Sequence, residues 1–439
     1  MWIMSDIISR TQEFLKSWGV SPDCVEMHSL LKQFEEEMES GLTRENSSSL
    51  PMIATYTQVQ ESIPLNEDVI VLDAGGTNFR TCLVRFNEEG KAIISDFQKT
   101  SMPGIKSEVS AQQFFGVFAD QVERLIDKSD HIGFCFSYAA TITSGHDGIP
   151  IMFSKEIKAP EVIGKPVGAS LLEELARRGH DVSNKKVAVL NDTVATLLAG
   201  QAAEKCKAYD SYIGFILGTG TNVAYTEDNA NIKKIGNLPK GKQIVNIESG
   251  NFNVKCGKLD ELFFASTKKP EQYHMEKMIS GAYLGPQCEL VLDKACEEGV
   301  LSSSFAQRFA TCKPLSTPVM SNYLEMPFNS EYALVRCTEG NEDDQLALWI
   351  IIDSLIAKAA KLTAANLSAA VLKSGMGRDP RRPVCINADG TTFYKTESLK
   401  KYTEYYLHQY LQLEYGRYVT LVKVEDSPTI GAAIAGLSI

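Results

Sequence analysis

The spacing of apolar residues changes at Val69. Before it the repeat is helical. Ile7, Ile8, Phe14, Leu15 and Trp18 form one stripe, with Ser5 and Asp6 placed to cap it and Gly19 placed to end it. This predicts a first helix packed on the domain surface. Leu30, Leu31, Phe34 and Met38 predict a second over about 22–42. Ser47-Ser48-Ser49 breaks the pattern, and Pro51 and Pro64 keep the approach extended. From Val69 short apolar runs predict strands at 69–72, 80–86, 92–98, 132–136 and 187–190, with helices near 111–127 and 167–178 and from Thr193. The later chain echoes that order. Strands are expected at 212–217, 222–226, 232–235, 383–387 and 418–424, with helical stretches at 272–298, 343–370, 396–412 and 429–437. Such alternation makes open mixed α/β sheets covered by helices, with a site in the cleft between the halves.

Two of the strands end in the same kind of turn. Val69-Ile-Val-Leu72 runs into Asp73-Ala-Gly75-Gly76-Thr77-Asn78-Phe-Arg80, and Phe215-Ile-Leu217 runs into Gly218-Thr219-Gly220-Thr221-Asn222. Glycines allow a sharp turn and let a ligand approach backbone N–H groups. Amides and hydroxyls suit a polyphosphate, and a carboxylate suits the water shell of a magnesium ion. Aligned on their Gly-Thr-Asn, the copies place Leu217 opposite Asp73, so only one carries an acid. A plain tight β-hairpin accounts for either copy alone. The duplication instead suggests two similar halves gripping one nucleotide, with the metal on one side.

Composition narrows the class. The chain has 439 residues, 44 % of them apolar and 23 % charged, which suits a two-domain globular protein with a large core. The net charge of −11 argues against general nucleic-acid binding. No apolar run is long enough to cross a bilayer, and the first ten residues lack a secretory pattern. The ten cysteines include no CxxC spacing and the six histidines are scattered. That fits free thiols in a reducing cytoplasm and speaks against a zinc site.

Three further stretches carry polar chemistry. Strand 187–190 delivers Asn191-Asp192 to a helix start, where the dipole favours an ionised acid; an ordinary helix cap reads the same way. Ser154-Lys155 lies in a polar loop after the strand that ends at Ser137, and Glu248 lies in Asn246-Ile-Glu-Ser-Gly-Asn-Phe. A surface lysine and an unremarkable glutamate are the plain readings of these two.

Taken together, the stretches resemble the hexokinase family of sugar kinases. The matches are Phe34-Glu-Glu-Glu-Met-Glu-Ser-Gly-Leu42, Ser48-Ser-Leu-Pro-Met52, Asp73 to Arg80, Gly133-Phe-Cys-Phe-Ser137, Ser154-Lys-Glu-Ile-Lys-Ala159, Asn191-Asp-Thr-Val-Ala-Thr196, Leu217 to Asn222 and Asn246-Ile-Glu248. They run in family order from about residue 30 to the C-terminus. The resemblance implies ATP- and magnesium-dependent phosphorylation of a hexose at its 6-hydroxyl, in the cleft of a two-domain actin-like ATPase (ribonuclease H-like) fold. Glucose is the first candidate, with mannose or fructose possible. By the motif matches Asp192 would be the general base, with Lys155 balancing charge. Ser137, Ser154, Lys155, Asn191, Asn222 and Glu248 would hold the sugar, and Asp73 would order the magnesium water shell. Gly75, Gly76, Thr77, Asn78, Arg80, Gly218, Thr219, Gly220, Gly390 and Thr391 would line the phosphates.

The same fold implies a small domain of 63–191 plus 426–439 and a large one of 1–62 plus 192–425. Cysteine usage, net charge and the lack of a long apolar run lead to the expectation of a cytoplasmic enzyme without nucleic-acid or membrane partners, and the oligomeric state stays open. The chain departs from the family pattern in places. Ala139 follows Tyr138 where proline is usual. Pro286-Gln287 stands where a second sugar-binding Glu is expected, leaving Gln287 a candidate to reach the sugar. Ser427-Pro-Thr-Ile-Gly431 replaces a glycine-rich adenosine-side loop. These departures keep a non-catalytic sugar sensor open. A zinc-containing repressor-like sugar kinase and a cytoskeletal or chaperone ATPase share the hairpins but not the full set of residues.

Overall fold

The computed structural model describes residues 2–153, 157–203, 207–254 and 257–439. Its strands are β1 (Ile53–Ala54), β2 (Asp68–Gly75), β3 (Asn78–Phe86), β4 (Ala92–Ser101), β5 (His131–Phe136), β6 (Ala140–Ile142), β7 (Gly148–Pro150), β8 (Lys186–Leu190), β9 (Ser211–Leu217), β10 (Thr221–Asp228), β11 (Lys242–Asn246), β12 (Val384–Asp389) and β13 (Val419–Val422). The helices up to the chain middle are α1 (Trp2–Trp18), α2 (Met27–Thr43), α3 (Ala111–Val122), α4 (Val167–Arg177), α5 (Asp192–Ala199), α6 (Lys258–Ala265), α7 (His274–Ile279) and α8 (Leu284–Glu297). After them come α9 (Ser303–Phe309), α10 (Thr317–Glu325), α11 (Ala333–Cys337), α12 (Glu342–Ser374), α13 (Thr391–Lys395), α14 (Leu399–Tyr406) and α15 (Ser427–Leu437).

Two mixed sheets organise these elements. One has the order β4-β3-β2-β5-β8 and the other β1-β11-β10-β9-β12-β13. In each, a hairpin of antiparallel strands continues into parallel strands: β2 pairs with β3 and then β5, and β9 with β10 and then β12. Strands buried on both faces read as unbroken apolar runs, as Val69–Leu72 does with every residue buried.

A shared core lies between the sheets. Val69, Val71 and Leu190 from one meet Ala224 and Ile244 from the other across α5 and α15. Close backbone approach makes this possible. A Cβ on Gly214 would lie 2.2 Å from the Thr193 carbonyl oxygen, so α5 sits directly on β9. A Cβ on Gly431 would lie 1.8 Å from the Ala195 oxygen, and one on Gly133 would lie 1.8 Å from the Ala432 oxygen. The last helix is therefore clamped against both α5 and β5.

Four sequence expectations need correction. The first helix begins at Trp2, so Ser5 and Asp6 lie within it rather than capping it; Gly19, at φ 72°, does end it. No strand forms at 232–235. Asn229 N–H donates to the Gly241 carbonyl, closing this stretch as a loop beneath α2, and the returning strand is Lys242–Asn246. Ile232 is buried by loop packing, which apolar spacing alone does not distinguish from a strand. The helical stretch 272–298 is broken between α7 and α8, where Ser280 turns to extended backbone. Gln287 does not reach toward a ligand: it is 2 % exposed and donates to the Lys277 carbonyl. No described helix is long and apolar enough to cross a membrane.

Candidate active site

The first hairpin brings an acid and a base onto one face. Asp73 and Arg80 are paired across β2 and β3, so their side chains lie together. Arg80 Nη1 donates to Asp73 Oδ2 at 2.7 Å, and the Asp73 side chain is only 6 % exposed. Burial raises the Asp73 carboxyl above its ordinary range; Arg80 opposes this, and the Cys135 thiol helps by donating to it. Gly76, at φ 57°, and Thr77 form the exposed tip, with Asn78 closing the turn opposite Gly75. Ser137 sits close above Gly75, where a Cβ would lie 3.1 Å from Ser137 Oγ, a tight contact. Tyr138 holds the tip from below, its hydroxyl donating 2.8 Å to the Gly76 carbonyl.

The second hairpin has a three-residue turn, Gly218-Thr219-Gly220, between the paired Leu217 and Thr221. Leu217 is fully buried, so no acid faces this turn from the equivalent position. Its support comes from distant residues. The Gly281 N–H donates 2.9 Å to the Gly218 carbonyl and the Ala282 N–H 3.3 Å to that of Thr219. The Thr392 hydroxyl also donates to Gly218, at 2.8 Å. This is why the helical stretch breaks at 280–283: a Cβ on Gly281 would lie 2.2 Å from Thr392 Oγ1. Gly390, at φ 115°, packs on the same turn, where a Cβ would lie 2.2 Å from the Leu217 oxygen. Thr391 is exposed beside it.

Asp192 opens α5, directly after β8. The Asn191 side chain caps the helix, accepting from the Thr193 N–H at 2.9 Å. Burial raises the Asp192 carboxyl, a hydrogen bond from Ser137 opposes the rise, and the charge of Asp73 adds to it. Ser137 follows β5, and its Oγ is 3.8 Å from the Cys135 sulfur. Neighbouring strand ends of one sheet thus carry a connected set, Asp73–Cys135–Ser137–Asp192.

Across from it, the other sheet supplies a carboxamide ladder. Asn222 Nδ2 donates to Asn246 Oδ1 at 2.7 Å, and Asn246 Nδ2 donates to Glu248 Oε1 at 2.8 Å. The Asn222 amide also reaches Glu248 at 3.3 Å. Glu248 has left-handed backbone, φ 57°, which costs a non-glycine residue energy and is found at functional positions. Burial, with the charges of Asp192 and Glu276, pushes its carboxyl up to about 7 against the two amides.

The structure therefore brings together Asp73, Ser137, Asp192, Asn222, Glu248 and both glycine turns. Ser154 and Lys155 lie outside the described residues. Ser427 is not available to a ligand: it is fully buried, donating to the Val424 carbonyl and accepting from Asn387. Sequence reasoning missed Cys135, Asn246, Glu276 and Thr392. Glu276 Oε2 accepts from the Thr221 N–H at 3.2 Å, and a Cβ on Gly220 would collide with it at 2.5 Å. Cys135 and Asn246 stand inside recognised motifs without a role of their own there, Thr392 adjoins one, and Glu276 has no local signal.

Two glycine turns facing a helix capped by Asn191 and opened by Asp192, on paired mixed sheets, define a phosphotransferase of the actin-like ATPase fold. Comparison with known proteins agrees. Two hexokinase family models match, one over residues 10–202 and one over 212–438. The chain belongs to the hexokinase family. It is 28 % identical over 427 residues to Hexokinase-7 of Oryza sativa subsp. japonica, covering 91 % of this chain and 90 % of that protein. It is 26 % identical over 471 residues to Hexokinase-2 of Solanum tuberosum, covering 96 % and 93 %. Among solved structures, hexokinase from Schistosoma mansoni complexed with glucose superimposes with a TM-score of 0.75 at 23 % identity, covering 99 % of this chain and 100 % of that one.

Proposed function

We propose that this protein transfers the γ-phosphoryl group of ATP to the 6-hydroxyl of a hexose, most readily glucose, with Asp192 as general base. The observation that supports this best is the raised, half-buried Asp192 carboxyl, hydrogen-bonded to Ser137 at the start of α5. A sugar hydroxyl is a poor nucleophile, and a positioned carboxylate that takes its proton contributes about 10²–10⁴ in rate. Burial moves the acceptor's pKa toward the working pH, while the Ser137 hydroxyl keeps the ionised form accessible. Transfer itself has a loose transition state that asks mainly for positioning and charge stabilisation.

The remaining residues divide by chemistry. Asn222, Glu248 and Ser137 present paired donors and acceptors for sugar hydroxyls, joined by Ser154, Lys155 and the free amide of Asn191. Asn246 orients Glu248. Such a site rejects a sugar lacking a matched hydroxyl, because its own polar groups are then left unpaired. The amides and hydroxyls of 75–78 and 218–220 would hold the phosphates with Arg80, and Gly390 and Thr391 would close the nucleotide side. A buried carboxylate already held by Arg80 suits a magnesium ion bound through its water shell, so Asp73 would hold it there. The bound ion would neutralise phosphate charge. The division into 63–191 plus 426–439 and 1–62 plus 192–425 is supported by the two sheets, each packed on a core cluster of its own.

The test is coupled ADP release with magnesium-ATP across glucose, mannose, fructose, glucosamine and N-acetylglucosamine, beside Asp192→Ala. Sugar-dependent turnover that disappears in the variant is expected. Sugar binding by calorimetry with no turnover on any sugar would overturn the reading and favour a sensor.

A further inference from the structure

Far along the chain from the cleft motifs, two thiols face each other. Cys312 ends the turn after α9, and Cys337 ends α11. Their sulfurs are 3.4 Å apart, in van der Waals contact without a bond. Both are free, Cys312 partly exposed and Cys337 only 2 % exposed. Each sulfur also touches the carbonyl four residues before it, Arg308 at 3.8 Å and Ala333 at 3.3 Å, so both side chains are held at the meeting point of α9 and α11.

We propose that Cys312 and Cys337 form a reversible disulfide site that restrains the segment between them. Sulfurs already in contact need only small side-chain rotations to reach bonding distance. The partly exposed Cys312 is the one a solvent oxidant can reach. Its thiolate attacks one sulfur of a low-molecular-weight disulfide such as glutathione disulfide, and one glutathione leaves as its thiol. Cys337 then attacks the Cys312 sulfur of the mixed disulfide, giving up its proton, and the second glutathione leaves. Two cysteine thiols are oxidised and one disulfide is reduced to two thiols. Burial holds the Cys337 thiol up to about 12, consistent with its acting second, on an adjacent sulfur.

The segment it would close is tied to the second hairpin. Thr317, at the start of α10, donates 2.7 Å to the Gly281 carbonyl and accepts from the Gly285 N–H at 3.0 Å. Gly281 in turn donates to Gly218. A link from Cys312 to Cys337 therefore encloses the residue that braces the turn beneath Gly218-Thr219-Gly220.

The experiment exposes the full chain to glutathione disulfide and maps peptides by mass, with Cys24, which is exposed, as an internal control for reagent access. The expected product joins the Cys312 and Cys337 peptides with loss of two hydrogens, reverts with dithiothreitol, and is absent in Cys312→Ser and Cys337→Ser. Amide hydrogen exchange across 313–336 should slow on oxidation of the wild type and not of Cys337→Ser. Glutathione persisting on Cys312, or both thiols unchanged while Cys24 reacts, would overturn the disulfide. A link that leaves exchange across the segment unaltered would overturn the restraint.

Discussion

The two glycine hairpins come from the same pattern yet are stabilised in different ways. The first carries its own charges: Asp73 and Arg80 face each other across two adjacent strands, and its two-residue tip is held by one tyrosine. The second has a buried leucine where the first has an acid. Its three-residue turn is supported by residues 281, 282, 390 and 392, all remote in sequence. The contrast shows how a repeated turn can specialise. A local cross-strand pair gives an electrostatic function, while long-range amide contacts give a rigid cradle. It also places every acid of the proposed transfer step on one sheet, with Asp73 on β2 and Asp192 after β8.

The largest test of this division is Asp73→Asn. It should lower kcat by about 10²–10³, the size of losing one preorganised charge-stabilising group, and should raise the magnesium concentration needed for half-maximal ADP release. Leu217→Ala, at the matching position, should act on folding instead. Removing this buried side chain is expected to cost about 2–5 kcal/mol in urea unfolding, with kcat of the folded protein near that of wild type. A large kcat loss there would erase the distinction.

The ladder beside the second hairpin gives a pH test. The Glu248 carboxyl is raised from its ordinary 4.5 to about 7. The folded state therefore holds the proton more tightly than the unfolded state. Its contribution to stability is fully present below pH 4.5 and is lost as pH rises through about 7. The loss is on the order of 3 kcal/mol at one pKa unit per 1.36 kcal/mol. Unfolding measured from pH 4.5 to 8 in the ligand-free protein should be less steep in Glu248→Gln than in wild type, the remainder coming from Asp73 and Asp192, whose carboxyls are also raised. An unchanged slope in the variant would assign the titration elsewhere. The smallest effect is expected from Thr392→Val. It removes one neutral hydrogen bond to Gly218, about 1 kcal/mol, seen as a several-fold rise in KM for ATP with kcat little changed.

Much of this was legible in the chain because its signals are local. An apolar run followed by Gly-Thr-Asn declares a strand and its turn, and Asn191-Asp192 before an apolar helix declares a cap. The element order also gave two mixed sheets. What escaped depends on register and long-range approach. Asn246 meets Asn222 only because β11 pairs with β10 so that Asn246 lies opposite Ala224. Glu276 reaches Thr221 across 55 residues, and Thr392 rather than its exposed neighbour Thr391 turns toward Gly218. The expected strand at 232–235 failed for the same reason: Ile232 is buried by a loop closed between Asn229 and Gly241. Gln287, chosen for its place in a motif, points into the core because α8 turns that face inward.

The central claim is that Asp192, delivered by the sheet that also carries Asp73, takes the proton of the sugar hydroxyl. The direct measurement is sugar-dependent ADP release by Asp192→Asn, with sugar affinity measured in parallel by calorimetry. The account predicts a kcat lower by about 10²–10⁴ and a sugar Kd close to wild type, because the amide keeps the shape and the hydrogen bond to Ser137. Turnover close to that of wild type would contradict it and move the base elsewhere in the cleft.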